Sequence, residues 1–278
     1  MARGQAEAMS TRFDDLPERL LSTLVLAPVA LGCLWAGGVA WTLLVALAGI
    51  GTAAEWARIV SFRPAALPGA LLPVLVVAAG LATAVGFGQL ALALLGIATA
   101  ALATGGGPRT DTRLWLAGGL LYLGLAAVAA IWLRLGGTVG RGNALFVVAI
   151  VCASDTGAYL IGRFVGGPKL MPRISPSKTW AGAAGGVAFA IAAGLLVAKA
   201  FAAGVSLGGV GVSIVLGGAS QGGDLVESAV KRRFGVKHSG TLIPGHGGLL
   251  DRLDGVLAAA PAAAILLLTL GPGAPLWR

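Results

Sequence analysis

Apolar residues run in long blocks along this chain, separated by short polar or glycine-rich breaks. The blocks fall at 20–36, 39–55, 67–86, 88–104, 114–133, 142–162, 180–201, 206–220 and 254–271. Most approach the roughly 20 residues that a helix needs to cross about 30 Å of hydrocarbon. The period-two alternation of a membrane β-barrel strand is absent. The pattern predicts an all-α, polytopic transmembrane helical bundle of about nine membrane helices. The breaks at Gly37–Gly38 and Gly86–Gly88 are very short, so the helices around them form hairpins.

Composition narrows this further. Of 278 residues, 57% are hydrophobic and 11% charged, whereas a soluble domain carries about a quarter charged residues. The net charge is +9. In a soluble protein that balance suggests nucleic acid, but basic patches interleaved with aromatics are missing, and no nucleic-acid partner is expected. With the N-terminus in the cytoplasm, segments 1–19, 55–66, 105–113, 163–178 and 221–252 hold 16 of the 20 Lys and Arg residues. The opposite side holds Arg134, Arg141, Lys199 and Arg278. Such a bias is the signature of cytoplasmic loops. It predicts a multi-pass protein of a bacterial-type cytoplasmic (inner) membrane, N-terminus inside.

Cys33 and Cys152 both lie within apolar blocks. They are expected to be packing residues, with no disulfide framework. The "ALGC" at Ala30–Cys33 has the look of a lipoprotein cleavage site, but Asp14, Asp15 and Glu18 precede it. Residues 20–36 are therefore read as a retained first helix.

Charge also divides the chain lengthwise. All five lysines lie from Lys169 onward. The expected organisation is a cytoplasmic N-terminal segment, 1–19, then transmembrane scaffold helices, 20–140, then a catalytic transmembrane region with cytoplasmic motif loops, 141–278.

Four polar constellations interrupt the second half. In "SDTGAYLIGRFVGG", Asp155, Tyr159 and Arg163 recur every four residues and share a helix face. A carboxylate inside an apolar span needs a partner or water, so this is either an interhelical clamp or part of a site. In "PRISPSKTWAG", the hydroxyls of Ser175, Ser177 and Thr179 accompany Arg173 and Lys178 just before a helix start. That combination suits phosphate and equally suits an ordinary cap. In "GGDLVESAVKRRFGVKHSG", Asp224, Glu227, Ser228 and Lys231 form one polar stripe that should face a watery cavity. Arg232 and Arg233 fit an interfacial anchor.

The fourth constellation is "IPGHGGLLDRLDG". Asp251 and Asp254 lie three residues apart at the start of the last helix, where a carboxylate gains from the helix dipole. Capping explains Asp251 alone. Two carboxylates facing Asp224 and Asp155 suit a hard divalent cation such as Mg²⁺, which takes oxygen ligands and binds substrate phosphates. Arg252 points elsewhere, toward phosphate or lipid. His246 lies among Gly245, Gly247 and Gly248, whose backbone can approach an anion closely.

The stretch "SAVKRRFGVKHSGTLIPGHGGLLDRLD", Ser228–Asp254, closely resembles the signature of phosphatidate cytidylyltransferases, also called CDP-diacylglycerol synthases. That pattern runs Ser, two residues, Lys-Arg, later Lys-Asp, then Pro-x-His-Gly-Gly and Asp-Arg-x-Asp. Ser228, Lys231, Arg232, Lys237, Pro244, His246, Gly247, Gly248, Asp251, Arg252 and Asp254 match it. "SDTGAYLIGRFVG" and "ISPSKTWAG" resemble the upstream blocks, so the likeness covers roughly 150–255. His238 stands where the pattern has Asp, and Ala181 where many members have Glu.

The resemblance implies transfer of a cytidylyl group from CTP to phosphatidate, giving CDP-diacylglycerol and pyrophosphate. It implies a catalytic set of Asp224, Lys231, His246, Asp251 and Asp254. Asp224 and Asp251 would bind Mg²⁺, with Asp254 supporting them or ligating directly. Lys178, Lys231, Lys237 and Arg252 would contact phosphates, with Ser175, Ser177 and Thr179 orienting them. Ser228, Asp155, Tyr159 and Arg163 complete the substrate-binding set. A second cation and a homodimer both stay open. The competing reading is a membrane transporter of an anionic solute. It accounts for Asp155 and the basic loops, but not for a dense carboxylate–lysine–glycine loop on one side only, and no internal repeat supports it.

Overall fold

The computed structural model describes residues 16–61, 67–106, 110–201, 206–240, 242, 247–271 and 273–278. His246, Pro244 and Gly245 lie outside the described residues. The described chain forms α1 (Leu16–Ala36), α2 (Gly38–Val60), α3 (Leu67–Ala84), α4 (Gly88–Thr104), α5 (Thr110–Arg134) and α6 (Gly137–Phe164). Then follow β1 (Lys169–Met171), β2 (Ser175–Thr179), α7 (Trp180–Ala200), α8 (Leu207–Arg233) and α9 (Leu250–Leu270). In hydrocarbon every backbone polar group must be satisfied within the chain, which is why apolar segments become helices. Helices α2, α5, α6, α7 and α9 are each long and apolar enough to cross a membrane. Helices α1, α3 and α4 carry the shorter apolar stretches Leu24–Ala36, Pro68–Ala84 and Gly88–Thr104.

The helices pack around two clusters of buried side chains. One joins α2, α3, α4 and α5 through Ala53, Trp56, Leu72, Val76, Leu95, Leu116 and Leu120. The other joins α6, α7 and α8 through Phe146, Ile150, Ala190 and Leu216, and takes in Leu276 and Trp277. Helix α9 belongs to both. Its Leu250 and Leu257 enter the first cluster, and its Ala259 and Ala263 enter the second. The first turns of α9 thus lie where the halves meet. Outward-facing leucines such as Leu43 and Leu47 on α2 are exposed, as lipid-facing positions should be.

Helices α6 and α7 approach almost backbone to backbone. A Cβ added at Gly157 would lie 2.7 Å from the carbonyl oxygen of Gly185, so only glycine fits that crossing.

Four features differ from the sequence expectation. Helix α8 continues unbroken to Arg233 instead of ending near 220, because its last turns bury a polar stripe against α9. Helix α2 likewise continues to Val60, five residues past the expected end. The segment between α6 and α7, expected as a plain loop, is a two-stranded antiparallel hairpin. Lys169 pairs with Thr179 and Met171 with Ser175. Gly166 and Gly167, with φ of 66° and 97°, turn the chain out of α6 in a conformation that other residues avoid. Cys152, expected to pack inside, is exposed on α6, while Cys33 is half-buried and both are free thiols.

Candidate active site

The polar stripe of α8 supplies the floor of the site. Asp224, Glu227, Ser228 and Lys231 fall at i, i+3, i+4 and i+7, so one side of the helix end carries them all. The first turn of α9 lies against it and brings Asp254. Ligand oxygens of Asp224, Glu227 and Asp254 lie within 4.8 Å of one another. Glu227 is only 2% exposed. Lys231 Nζ lies 3.2 Å from its Oε2 as an ion pair, yet neither carboxylate oxygen accepts an aligned hydrogen bond. Glu227 stands beyond the apolar part of α8. Burial pushes its carboxyl up to about 9; the Asp251 contact adds to the rise, and Lys231 opposes it.

Cations and donors surround this cluster. The hairpin carries Lys178 over it, with Nζ 2.5 Å from Asp224 Oδ2. Ser228 Oγ donates to Asp224 Oδ1 at 3.3 Å, and the amide of Gly255 donates to Asp254 Oδ1 at 2.7 Å. Tyr122 on α5 reaches across, its hydroxyl donating to the Asp254 carbonyl at 3.3 Å. Asp155 on α6 is exposed and lies within Coulombic range of Asp224 and Lys178.

Asp251 has a different environment. Its Oδ1 pairs with Lys231 Nζ at 2.5 Å. Its Oδ2 accepts the amides of Ser239 at 3.1 Å and Gly248 at 3.2 Å. In this geometry it orients Lys231 and holds two loop strands together, while Glu227 joins Asp224 and Asp254 in the oxygen cluster. Of the three metal ligands expected from sequence, Asp224 and Asp254 meet in this cluster with Glu227, and Asp251 stands beside it in contact with Glu227 and Lys231.

The remaining expected residues spread around this centre. On α6, Arg163 Nη1 donates to the Tyr159 hydroxyl at 2.7 Å, so those two form a pair of their own. On β2, Ser175 is half-buried and Ser177 exposed. Thr179 is buried and caps α7, its Oγ1 accepting the amide of Gly182 at 3.1 Å. That commits Thr179 to the helix start. Lys237 and Arg252 are exposed. His238 is exposed too, with Nδ1 3.9 Å from Asp251 Oδ2. His238, one of the two departures from the family pattern, thus stands at the rim, beside the carboxylate that orients Lys231.

Sequence reasoning placed Glu227 in the stripe without making it a ligand. It passed over Tyr122 and Glu55 altogether. Glu55 is 0% exposed. Its Oε2 accepts Ser239 Oγ at 2.9 Å and the amide of Leu250 at 2.8 Å, and its Oε1 accepts the amide of Leu249 at 2.9 Å. The available signal was an acid in an apolar helix, which needs an explanation wherever it occurs.

Known proteins resemble this chain along most of its length. The sequence profile of the cytidylyltransferase family matches residues 17–270. A phosphatidate cytidylyltransferase of Brucella suis biovar 1 (strain 1330) is 40% identical over 247 residues, covering 88% of this chain and 91% of that protein. A phosphatidate cytidylyltransferase of Mycobacterium leprae (strain TN) is 45% identical over 128 residues, which are 46% of this chain and 41% of that one. With a match spanning nearly every described helix, the chain belongs to the cytidylyltransferase family.

Proposed function

We propose that this protein transfers the cytidylyl group of CTP to phosphatidate, giving CDP-diacylglycerol and pyrophosphate for phospholipid biosynthesis. The observation that carries this reading is the cluster of Asp224, Glu227 and Asp254 flanked by Lys178 and Lys231, at the junction of α8, α9 and the hairpin. The family and the names of its relatives supply the substrates. Nucleotidyl transfer depends on positioning and on neutralising phosphate charge. A site of clustered acids and mobile ammonium groups between membrane helices provides both.

The acidic cluster fits Mg²⁺. Its donors are all carboxylate oxygens, the choice of a hard cation. Two of those oxygens, on buried Glu227, lack hydrogen-bond partners. Asp224, Glu227 and Asp254 would hold the ion, and Asp251 would steady Lys231 beside it. When bound, the ion offsets negative charge on the nucleotide phosphates.

The chain's own residues do the rest. Lys178 exchanges its Asp224 partner for a phosphate oxygen, while Lys231, held by Asp251, turns another N–H toward phosphate. Lys237 and Arg252, both exposed, meet the outer phosphates or the lipid headgroup. A phosphatidate phosphate oxygen then attacks the α-phosphorus of CTP. One P–O bond forms there, the bond to the β-phosphate bridging oxygen breaks, and pyrophosphate leaves. The attacking oxygen is already anionic, so no general base and no covalent enzyme intermediate are needed. The excess of Lys and Arg in the segments that carry these residues supports an inner-membrane protein with its site facing the cytoplasm, where CTP is available.

The test is a product assay with purified protein, CTP and phosphatidate, with Mg²⁺ present or chelated. Wild type should form CDP-diacylglycerol only with the cation, and Asp251→Asn should be severely slowed. Absence of product from wild type, or a full rate in Asp251→Asn, sinks the reading. Solute flux into vesicles without turnover would favour the transporter instead.

A further inference from the structure

We infer that Glu55, contributed by α2 in the half without lysines, is a positioning residue for the transfer reaction; this rests on the activity proposed above. Glu55 touches none of the clustered carboxylates. It holds the two stretches of chain that place Asp251. On one side it accepts the Ser239 hydroxyl, and on the other the amides of Leu249 and Leu250 at the start of α9. Asp251 bridges the same two stretches one layer nearer the site, through the amides of Ser239 and Gly248. The connection then runs from Asp251 to Lys231 and from Lys231 to Glu227.

The surroundings leave no slack. A Cβ at Gly240 would lie 2.6 Å from Glu55 Oε1, and one at Gly248 would lie 2.7 Å from Oε2. Gly240 has room for no side chain because the carboxylate lies against it, and Gly248 because that carboxylate and the Ser239 hydroxyl both do. All three groups facing Glu55 are donors, so the site demands two acceptor oxygens and not merely bulk. Glutamine has the same volume but must turn an NH₂ toward a donor. A residue that only filled space would tolerate it.

Glu55→Gln in the full-length protein tests this with two readouts. In the transfer assay kcat should fall about tenfold to a hundredfold, the scale expected when a reacting geometry slips, with the KM for CTP nearly unchanged. By hydrogen exchange, amides of Leu249 and Leu250 should lose protection while those of α6 keep theirs. Ser239→Ala should slow the wild type severalfold and have no added effect on top of Glu55→Gln. Should Glu55→Gln fail to fold, Gly240→Ala takes its place, because its methyl must displace the same carboxylate, and it should show the same two changes. A kcat within twofold of wild type with unaltered exchange overturns the inference, as does full additivity with Ser239→Ala. A wild type that makes no product refutes the activity instead and leaves the exchange result to judge Glu55.

Discussion

The two halves of the molecule are both greasy helical bundles, yet they use polarity in opposite ways. Helices α2–α5 bury leucine, alanine and tryptophan around one cluster, and their few buried polar groups serve structure. Trp56 Nε1, for example, donates to the Trp115 carbonyl at 2.9 Å and ties α2 to α5. Helices α6–α9 bring carboxylates and ammonium groups face to face near one end. The difference teaches that the charged half does not stand alone. Its last helix is shared with the first cluster, and two side chains from the first half, Glu55 and Tyr122, hold backbone around Asp251 and Asp254.

Substitutions can break this comparison or sharpen it. The largest effect is expected of Asp224→Asn, which removes one carboxylate of the proposed cation site and the charged partner of Lys178; turnover should fall on the order of 10³-fold, with secondary structure by circular dichroism unchanged. Lys178→Gln should cost about 10²-fold, because one charged phosphate contact is lost from a preorganised site. If both variants turned over normally, chemistry would not lie in the second half. Tyr122→Phe probes the reach of the first half: losing one hydrogen bond to the Asp254 carbonyl should slow turnover about threefold in the same assay. Leu47→Ala, on the exposed face of α2, should change the rate by less than about twofold. A large effect there would mean that the outward face of α2 bears on turnover as well.

Much of this was legible in sequence, for identifiable reasons. Helix α4 begins and ends where its apolar block does, since glycines bracket it. The stripe from Asp224 to Lys231 was visible because helical spacing puts polar residues on one side whatever surrounds them. The hairpin at Lys169–Thr179 was not, since its strands are too short to show alternation. The grouping of Glu227 with Asp224 and Asp254, leaving Asp251 with Lys231, depends on how α9 leans against α8, which local spacing does not encode. Glu55 was missed at a boundary. Ending the second block at 55 made it a loop residue, whereas α2 runs on for another turn and buries it. His238 stood out as a departure from a motif; its meaning emerged only once it was seen exposed, at the edge of Asp251.

The span between Glu55 and its partners also has a consequence for how the protein is made. Leu249 follows Glu55 by 194 residues. At about 5–20 residues per second, a ribosome needs roughly 10–40 s to deliver those donors after α2 has emerged. For that interval a carboxyl group waits without the amides that will later receive it. Until α9 arrives, the groups proposed to act on phosphate stand unassembled.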